Sequence, residues 1–255
     1  MAFLTAHHTD VGIKKNTNQD ALLLKTAKTP KGSVALFIVC DGMGGLSHGE
    51  LASATVIRGM AEWFDVEMPR LSQSEYIGEE IYAELTKCIN QLNEKILHYG
   101  ETSKVKLGTT LTALLIFHNK YFIAHIGDSR AYSISNSLHQ LTQDQTLVGR
   151  EVARGNITEE QAKVDPRRNV LLQCVGATKE IEVGFSTGDV QLNTVFMLCS
   201  DGFYHQITEE ELALNLSPET IKSDQQLKDK IVELVELVKA RKEVDNISVV
   251  AAKVL

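Results

Sequence analysis

Seven uncharged, largely apolar and partly β-branched residues, Val34-Ala-Leu-Phe-Ile-Val-Cys40, run straight into an acid, Asp41, and then into a turn with three glycines in four positions, Gly42-Met-Gly-Gly45. No other stretch constrains the fold of this chain as strongly. Such a run reads as a strand buried on both faces. The glycines let the backbone turn sharply and approach a ligand closely. Asp41 then stands at the end of a buried strand with little water around it, where a carboxylate is costly unless a cation or hydrogen-bond donors compensate it. Taken alone, the motif fits equally well an aspartate that only hydrogen-bonds the glycine turn.

The pattern recurs. Tyr121-Phe-Ile-Ala-His-Ile-Gly127 leads into Asp128, and Val195-Phe-Met-Leu-Cys-Ser200 leads into Asp201-Gly202. Asp245-Asn246 opens the run Ile247 to Val254, and Asp20 opens Ala21-Leu-Leu-Leu24. Any one of these aspartates is compatible with a simple turn. Together, at the ends of separate apolar segments, they are better explained by strand ends that converge. Clustered carboxylates repel one another without divalent cations, and an all-oxygen donor set favours magnesium, manganese or calcium over zinc or copper. Two such ions held close together form a recurring hydrolytic site. A bridging carboxylate holds both, a shared water loses a proton near neutral pH, and the ions offset charge on a phosphoryl group. Asp41 is the best bridge, because Gly42 can offer its carbonyl from the same turn.

The remaining sequence narrows the class. The chain has 255 residues, 43% hydrophobic and 23% charged, which supplies a sizeable core. A net charge of -7 argues against a nucleic-acid or anionic-membrane binder. No apolar run reaches the roughly 18 residues of a spanning helix, and Met1 to His8 is too short and polar for a secretory signal. Cys40, Cys88, Cys174 and Cys199 form no CxxC pair, so neither a zinc site nor a disulfide framework is expected, and a reducing cytoplasm is the natural compartment. No cysteine has an arginine six positions on, and the chain lacks GxxxxGK[ST], the protein-kinase set, HExxH and GxSxG.

Periodicity predicts short strands over 2–8 and 20–26, then the strand 34–40. A helix is expected from Ser47 to about Glu67. The box Ser72-Gln-Ser-Glu75 is read as the cap of a second, long helix with its apolar row at Ile77, Ile81, Leu85, Ile89, Leu92 and Ile96. Gly108 to Phe117 and Tyr121 to Ile126 read as a hairpin, followed by strands at 130–135 and 138–141. Residues 142–180 turn polar and basic, with a capping box at Thr158 to Gln161, and read as a small helical excursion. Strands follow at 183–191, 195–200 and 247–254, with helices capped by Thr208 and Ser223. A strand meander without regular βαβ alternation argues for mostly antiparallel sheets. No linker or repeat divides the chain, so one domain, 1–255, is expected.

The motifs, in order, are Asn18-Gln-Asp20, Asp41-Gly-Met-Gly-Gly45 with Gly49-Glu50, Gly108-Thr-Thr110, Ile126-Gly-Asp-Ser-Arg-Ala-Tyr132, Leu141-Thr-Gln-Asp144, Arg168-Asn-Val170, Ser200-Asp-Gly202 and Asp245-Asn246. Across residues 12 to 250 the chain resembles the PPM-type (2C) metal-dependent serine/threonine protein phosphatases in their compact bacterial form. The resemblance implies an α+β fold, a four-layer α-β-β-α sandwich of two mostly antiparallel sheets flanked by helix pairs. It implies two Mn2+ or Mg2+ ions in a cleft at one edge, with a metal-activated water that hydrolyses phosphoserine or phosphothreonine. By position, Asp41 would bridge both metals and Gly42 would contribute its carbonyl, Asp201 and Asp245 would complete the first site, Asp20 would hold waters of the second, and Asp128 would serve a third, weaker metal. Residues 142–180 match the family's flap, a variable segment linked to substrate choice. The implied partners are phosphorylated proteins and a cognate serine/threonine kinase, with no nucleic acid and no membrane, and a monomer is the default.

Two departures stand out. The family's phosphate-gripping arginine, in Gly-x-x-Arg, is Lys15 here, which keeps the charge and loses the planar fork. Leu46 stands where many bacterial members have histidine, with His48 two residues on. The complete acidic set favours an enzyme over a binding module that merely kept the fold, while a two-metal hydrolase of small phosphoesters or nucleotides stays open on sequence grounds.

Overall fold

The structure, a computed structural model, describes residues 1–43, 48–74 and 77–255, without the side chain of Ile77. In chain order it holds β1 (Phe3–Asp10), β2 (Ala21–Thr29), β3 (Gly32–Cys40), α1 (Gly49–Leu71), α2 (Ile77–Ser103), β4 (Leu111–Phe117), β5 (Lys120–Ile126), β6 (Arg130–Ile134) and β7 (Leu138–Gln140). Then come α3 (Leu147–Ala153), α4 (Glu159–Val164), β8 (Gly184–Asp189), β9 (Val195–Cys199), α5 (Asp201–Tyr204), α6 (Glu209–Asn215), α7 (Asp224–Ala240) and β10 (Ile247–Val254). Among the described residues the strands form two five-stranded sheets, ordered β1-β10-β9-β6-β7 and β2-β3-β4-β5-β8, and neighbouring strands pair antiparallel.

The apolar runs explain the layering. Side chains alternate across a strand, so a run without polar residues serves two interfaces at once. In β3, Val34, Leu36, Ile38 and Cys40 pack toward α1 and α2, while Ala35, Phe37 and Val39 face the other sheet. In β10, Val249 and Ala251 pack toward α6 and α7, while Val250, Ala252 and Val254 face inward. Three apolar layers therefore separate helices, sheet, sheet and helices, which is the four-layer α+β sandwich. The row Ile81, Leu85, Ile89, Leu92 and Ile96 of α2 is buried in the first layer. The β4–β5 hairpin turns through His118 and Asn119, both at positive φ (52° and 58°), the geometry that matches the twist of a two-residue hairpin.

One expected cap is misplaced. Ser72 closes α1 rather than opening α2: its N–H bonds the Met68 carbonyl and its hydroxyl donates to the Pro69 carbonyl. The run-on of α1 to Leu71 explains this, since Ser72 is taken up by the preceding helix. Glu75, the other half of that box, lies outside the described residues, as do the glycine turn 44–45, the departure at Leu46 and the expected helix start at Ser47. The boxes at Thr158 and Thr208 are formed, and Ser223 caps α7. Among the described residues no helix is long and apolar enough to cross a membrane.

Register brings the acidic positions together. The pairs Ala21↔Cys40 and Leu111↔Ile126 mark one end of one sheet. Asp10↔Ile247, Val249↔Cys199 and Arg130↔Cys199 mark the same kind of end in the other. Asp20, Asp41 and Asp128 continue the first set, and Asp201 and Asp245 the second.

Candidate active site

Asp41 leaves β3 in a fixed direction because its backbone is held on both sides. Its N–H donates to Thr110 Oγ1 (2.9 Å), and its carbonyl accepts from the Thr110 N–H (2.9 Å) and the Thr109 hydroxyl (2.9 Å). Thr110 Oγ1 in turn meets Ser129 Oγ at 2.8 Å, which ties the turn to the Asp128 loop. Gly42 is packed so closely against the Gln19 and Gly49 carbonyls that a Cβ would meet each at 2.4 Å. Only glycine brings its backbone this near.

Asp20 is held from the second sheet. Its Oδ2 accepts from the Ser200 hydroxyl at 2.9 Å, and the Ser248 N–H donates to Ser200 Oγ at 3.0 Å. Asn246 stitches the loop before β2 into place. Its Oδ1 accepts from the Gln19 N–H, and its amide donates to the carbonyls of Val11 and Thr17. Gly12, at φ +77°, lies against the Asp245 carbonyl, where a Cβ would sit 2.1 Å away. The buried Glu243 accepts from the N–H groups of Val244 and Asp245 and shapes that turn.

Asp41, Asp128, Asp201 and Asp245 line one cleft of about 590 Å3 together with Lys15, Gly42, Met43 and residues of the 142–180 segment. Asp20 lies close behind it, within electrostatic reach of Asp41, Asp201 and Asp245. The expected convergence of strand-end aspartates is what the structure places here. Lys15 Nζ is 2.7 Å from Asp245 Oδ1. His48 begins α1 at φ 74°, with no side-chain cap among the described residues, and is exposed.

The electrostatics fit a cation. Desolvation by the surrounding protein, reinforced by the charges of Asp20, Asp201, Asp128 and Asp245, pushes the Asp41 carboxyl well above its usual range. Asp20 is pushed up to about 7 by burial, against the hydrogen bonds of Ser248 and Ser200, with Asp201 and Asp245 adding to the rise. Asp128 is likewise raised well above its range, by burial and then by Asp201 and Asp144. Asp201 is raised by burial, although His205 opposes this and Asp41 hydrogen-bonds its carboxyl. Lys15 is raised: burial pulls the other way, and its contact with Asp245 and the charges of Asp41 and Asp201 prevail. Among the described residues, Asp20 Oδ1 and Asp201 Oδ1 are buried without a hydrogen-bond partner. Orphaned carboxylate oxygens in such a setting are costly as they stand and suit an oxygen-liganded divalent ion. Among the described residues no three acidic, imidazole or thiol groups are already closed around one point as metal ligands.

Sequence reasoning missed the supports: Ser200 and Ser248 behind Asp20, Glu243 beneath Asp245, and Tyr204, whose hydroxyl donates to the Asp128 carbonyl at 3.1 Å. Ser200 stands in the Ser200-Asp-Gly202 motif and Ser248 interrupts the apolar run Ile247 to Ala252 of the last strand, and these are the signals the sequence offers for them.

Comparison with known proteins agrees with this geometry. A family model described as protein phosphatase 2C matches residues 8–242. The serine/threonine phosphatase stp of Listeria monocytogenes is 34% identical over 203 residues, 78% of this chain and 77% of that protein. The solved structure of the S. agalactiae serine/threonine phosphatase superimposes with a TM-score of 0.85 at 30% identity, covering 100% of both chains. The catalytic domain of the phosphatase PstP, solved in complex with two manganese ions, gives a TM-score of 0.79 at 28% identity over 98% of this chain and 97% of that one. By sequence and by fold, the chain belongs to the protein phosphatase 2C family and is a serine/threonine phosphatase of that type.

Proposed function

We propose that this phosphatase removes phosphate from phosphoserine and phosphothreonine in proteins, in opposition to a serine/threonine kinase, using two Mn2+ or Mg2+ ions. Asp41 would hold both ions, the Gly42 carbonyl would contribute a ligand, Asp201 and Asp245 would complete one site, and Asp20 would act through waters of the other. Asp128 would serve a third ion. The observation that carries this reading is the placing of four aspartates on one cleft, with buried oxygens on Asp201 and on Asp20 behind it that have no partner among the described residues. Divalent ions bound there supply Lewis acidity and a water that ionises near neutral pH.

The protein's own groups account for substrate placement. The Lys15 ammonium, in the cleft, binds the phosphoryl oxygens as a point charge, without the two-pronged grip of arginine. The hydrogen bonds of Thr109 and Thr110 fix Asp41 before substrate arrives, so little reorganisation accompanies the reaction. In the same reading residues 1–255 form one catalytic domain, 142–180 are its flap, and the enzyme works as a cytoplasmic monomer.

The test is phosphate release from a phosphothreonine peptide with Mn2+ and then with excess chelator, for wild type and Asp201→Asn, alongside the melting temperature with and without Mn2+. We expect metal-dependent release in wild type, at least about a hundredfold less in the variant, and a smaller Mn2+-induced rise in melting temperature. Release that persists in chelator would overturn the metal reading.

A further inference from the structure

Ser200 occupies the N-cap position of α5, where a serine hydroxyl ordinarily accepts a backbone N–H of the first turn. Among the described residues it makes no such bond. The hydroxyl donates instead to Asp20 Oδ2 at 2.9 Å, and its oxygen accepts the Ser248 N–H at 3.0 Å. Ser248 stands in β10 between Ile247 and Val249, and both serines are fully buried. A hydroxyl taken out of water is costly unless its bonds are made, so each of these two is held where its partners are.

The bonds close into a ring around Asp20. Ser248 pairs across the strands with Thr9 of β1, and their hydroxyl oxygens are 2.8 Å apart. The Asn18 amide donates to Thr9 Oγ1 at 2.7 Å, and Asn18 Oδ1 accepts the Asp20 N–H at 3.1 Å. The Ser248 hydroxyl also acts on the Asp20 carboxylate as a donor. With that proton directed at an ionised carboxylate, which only accepts, the bond between the two hydroxyls runs from Thr9 to Ser248. The donors of Asn18, Thr9 and Ser248 therefore follow one another toward Asp20, and Ser200 donates to it as well. Ser200 grips Oδ2 and Asn18 the backbone, while Oδ1 has no partner among the described residues. Fastening the loop before β2 does not require this ring, because Asn246 already ties Val11, Thr17 and Gln19.

We infer that Ser200, Ser248, Thr9 and Asn18 are positioning residues that hold the Asp20 carboxylate in one orientation, with Oδ1 left for the water shell of a divalent ion, and thereby set the affinity for that ion. The inference rests on the two-ion reading of the site and adds the residues that act behind Asp20. Outer-shell donors orient a carboxylate before the ion arrives, so binding brings little reorganisation there. The ion assigned to Asp201 and Asp245 lies outside the ring's influence.

Calorimetric titration of the full chain with Mn2+ tests this without turnover. Wild type should bind at least two Mn2+ ions, and Asp20→Asn should weaken one of them. Ser200→Ala should weaken that same ion about tenfold and leave the other unchanged. Because Ser200 precedes Asp201, an independent variant is needed. Thr9→Val keeps the shape of an exposed side chain, opens the ring away from Asp20, and should weaken the ion about threefold, while Thr9→Ser returns the hydroxyl and should restore wild-type affinity. Unchanged Mn2+ affinity in Ser200→Ala or in Thr9→Val, equal weakening of both ions, or no recovery in Thr9→Ser would overturn the ring assignment and leave the two-ion reading standing. A wild type that binds fewer than two Mn2+ ions, or an Asp20→Asn variant that binds them as wild type does, would overturn that reading and the ring with it.

Discussion

Arg130 grips the carboxylate of Asp144 with two prongs, Nε to Oδ1 at 2.9 Å and Nη2 to Oδ2 at 2.7 Å. The same guanidinium lies over the ring of Tyr204, 3.8 Å from its centroid, and the Tyr204 hydroxyl holds the Asp128 carbonyl. Beside it, the Gln145 N–H donates to the Gly127 carbonyl and Gln145 Oε1 accepts from the Gly127 N–H. The first residues of the 142–180 segment are thereby clasped to the turn that carries Asp128.

Asp144→Asn should weaken the clasp. Removing one charge of a fully buried pair costs about 3–5 kcal/mol. Here the two side chains keep 25% and 18% exposure, and water screens part of the loss. The expected destabilisation is about 2 kcal/mol, read as a lower urea midpoint at unchanged slope. An unchanged midpoint would put this pair among the ion pairs that contribute nothing measurable.

Lys15→Arg concerns binding of the phosphate. Lysine at 2.7 Å from Asp245 is a point charge on a flexible stem. Arginine offers a planar pair of donors matched to two phosphoryl oxygens. The variant should lower KM for a phosphothreonine peptide about threefold to tenfold, with kcat little changed. Identical steady-state constants would remove Lys15 from the phosphate-binding role.

How far the sequence discloses this architecture depends on how local each signal is. The strand Val34 to Cys40 announces itself because burial on two faces leaves no room for polar residues, and the acids at strand ends announce themselves because buried carboxylates need a reason. The helix row of α2 is legible by spacing alone. Ser72 is misread because a capping box and a helix C-terminus use the same small polar residue, and only the length of α1 decides between them. Tyr204 and Arg130 are invisible as partners because they come from separate segments brought together by the β6–β9 pairing, which no local pattern encodes.

His125 makes the fold sensitive to acid. Burial holds its imidazole well below the ordinary value of 6.5, at about 4, outweighing the opposing pull of Asp144 and of the Gln143 and Gly127 backbone. The folded state therefore resists a proton that the unfolded chain accepts. Above pH 6.5 neither state is charged at this position, and the histidine costs nothing. As pH falls from 6.5 toward 4 the unfolded chain gains the proton first, and stability is lost across that window. At pH 5 the loss is about 2 kcal/mol, from roughly 1.4 kcal/mol per pH unit over one and a half units. The aspartates of the cleft titrate with signs of their own, so the comparison must be with a variant that changes this group alone. His125→Gln keeps a hydrogen-bonding partner for Thr112 and removes the titration. Between pH 7.5 and pH 5, wild type should lose about 2 kcal/mol more unfolding free energy in urea than the variant does. Parallel stability profiles for the two proteins would show that His125 accepts its proton in the folded state as readily as in the unfolded chain.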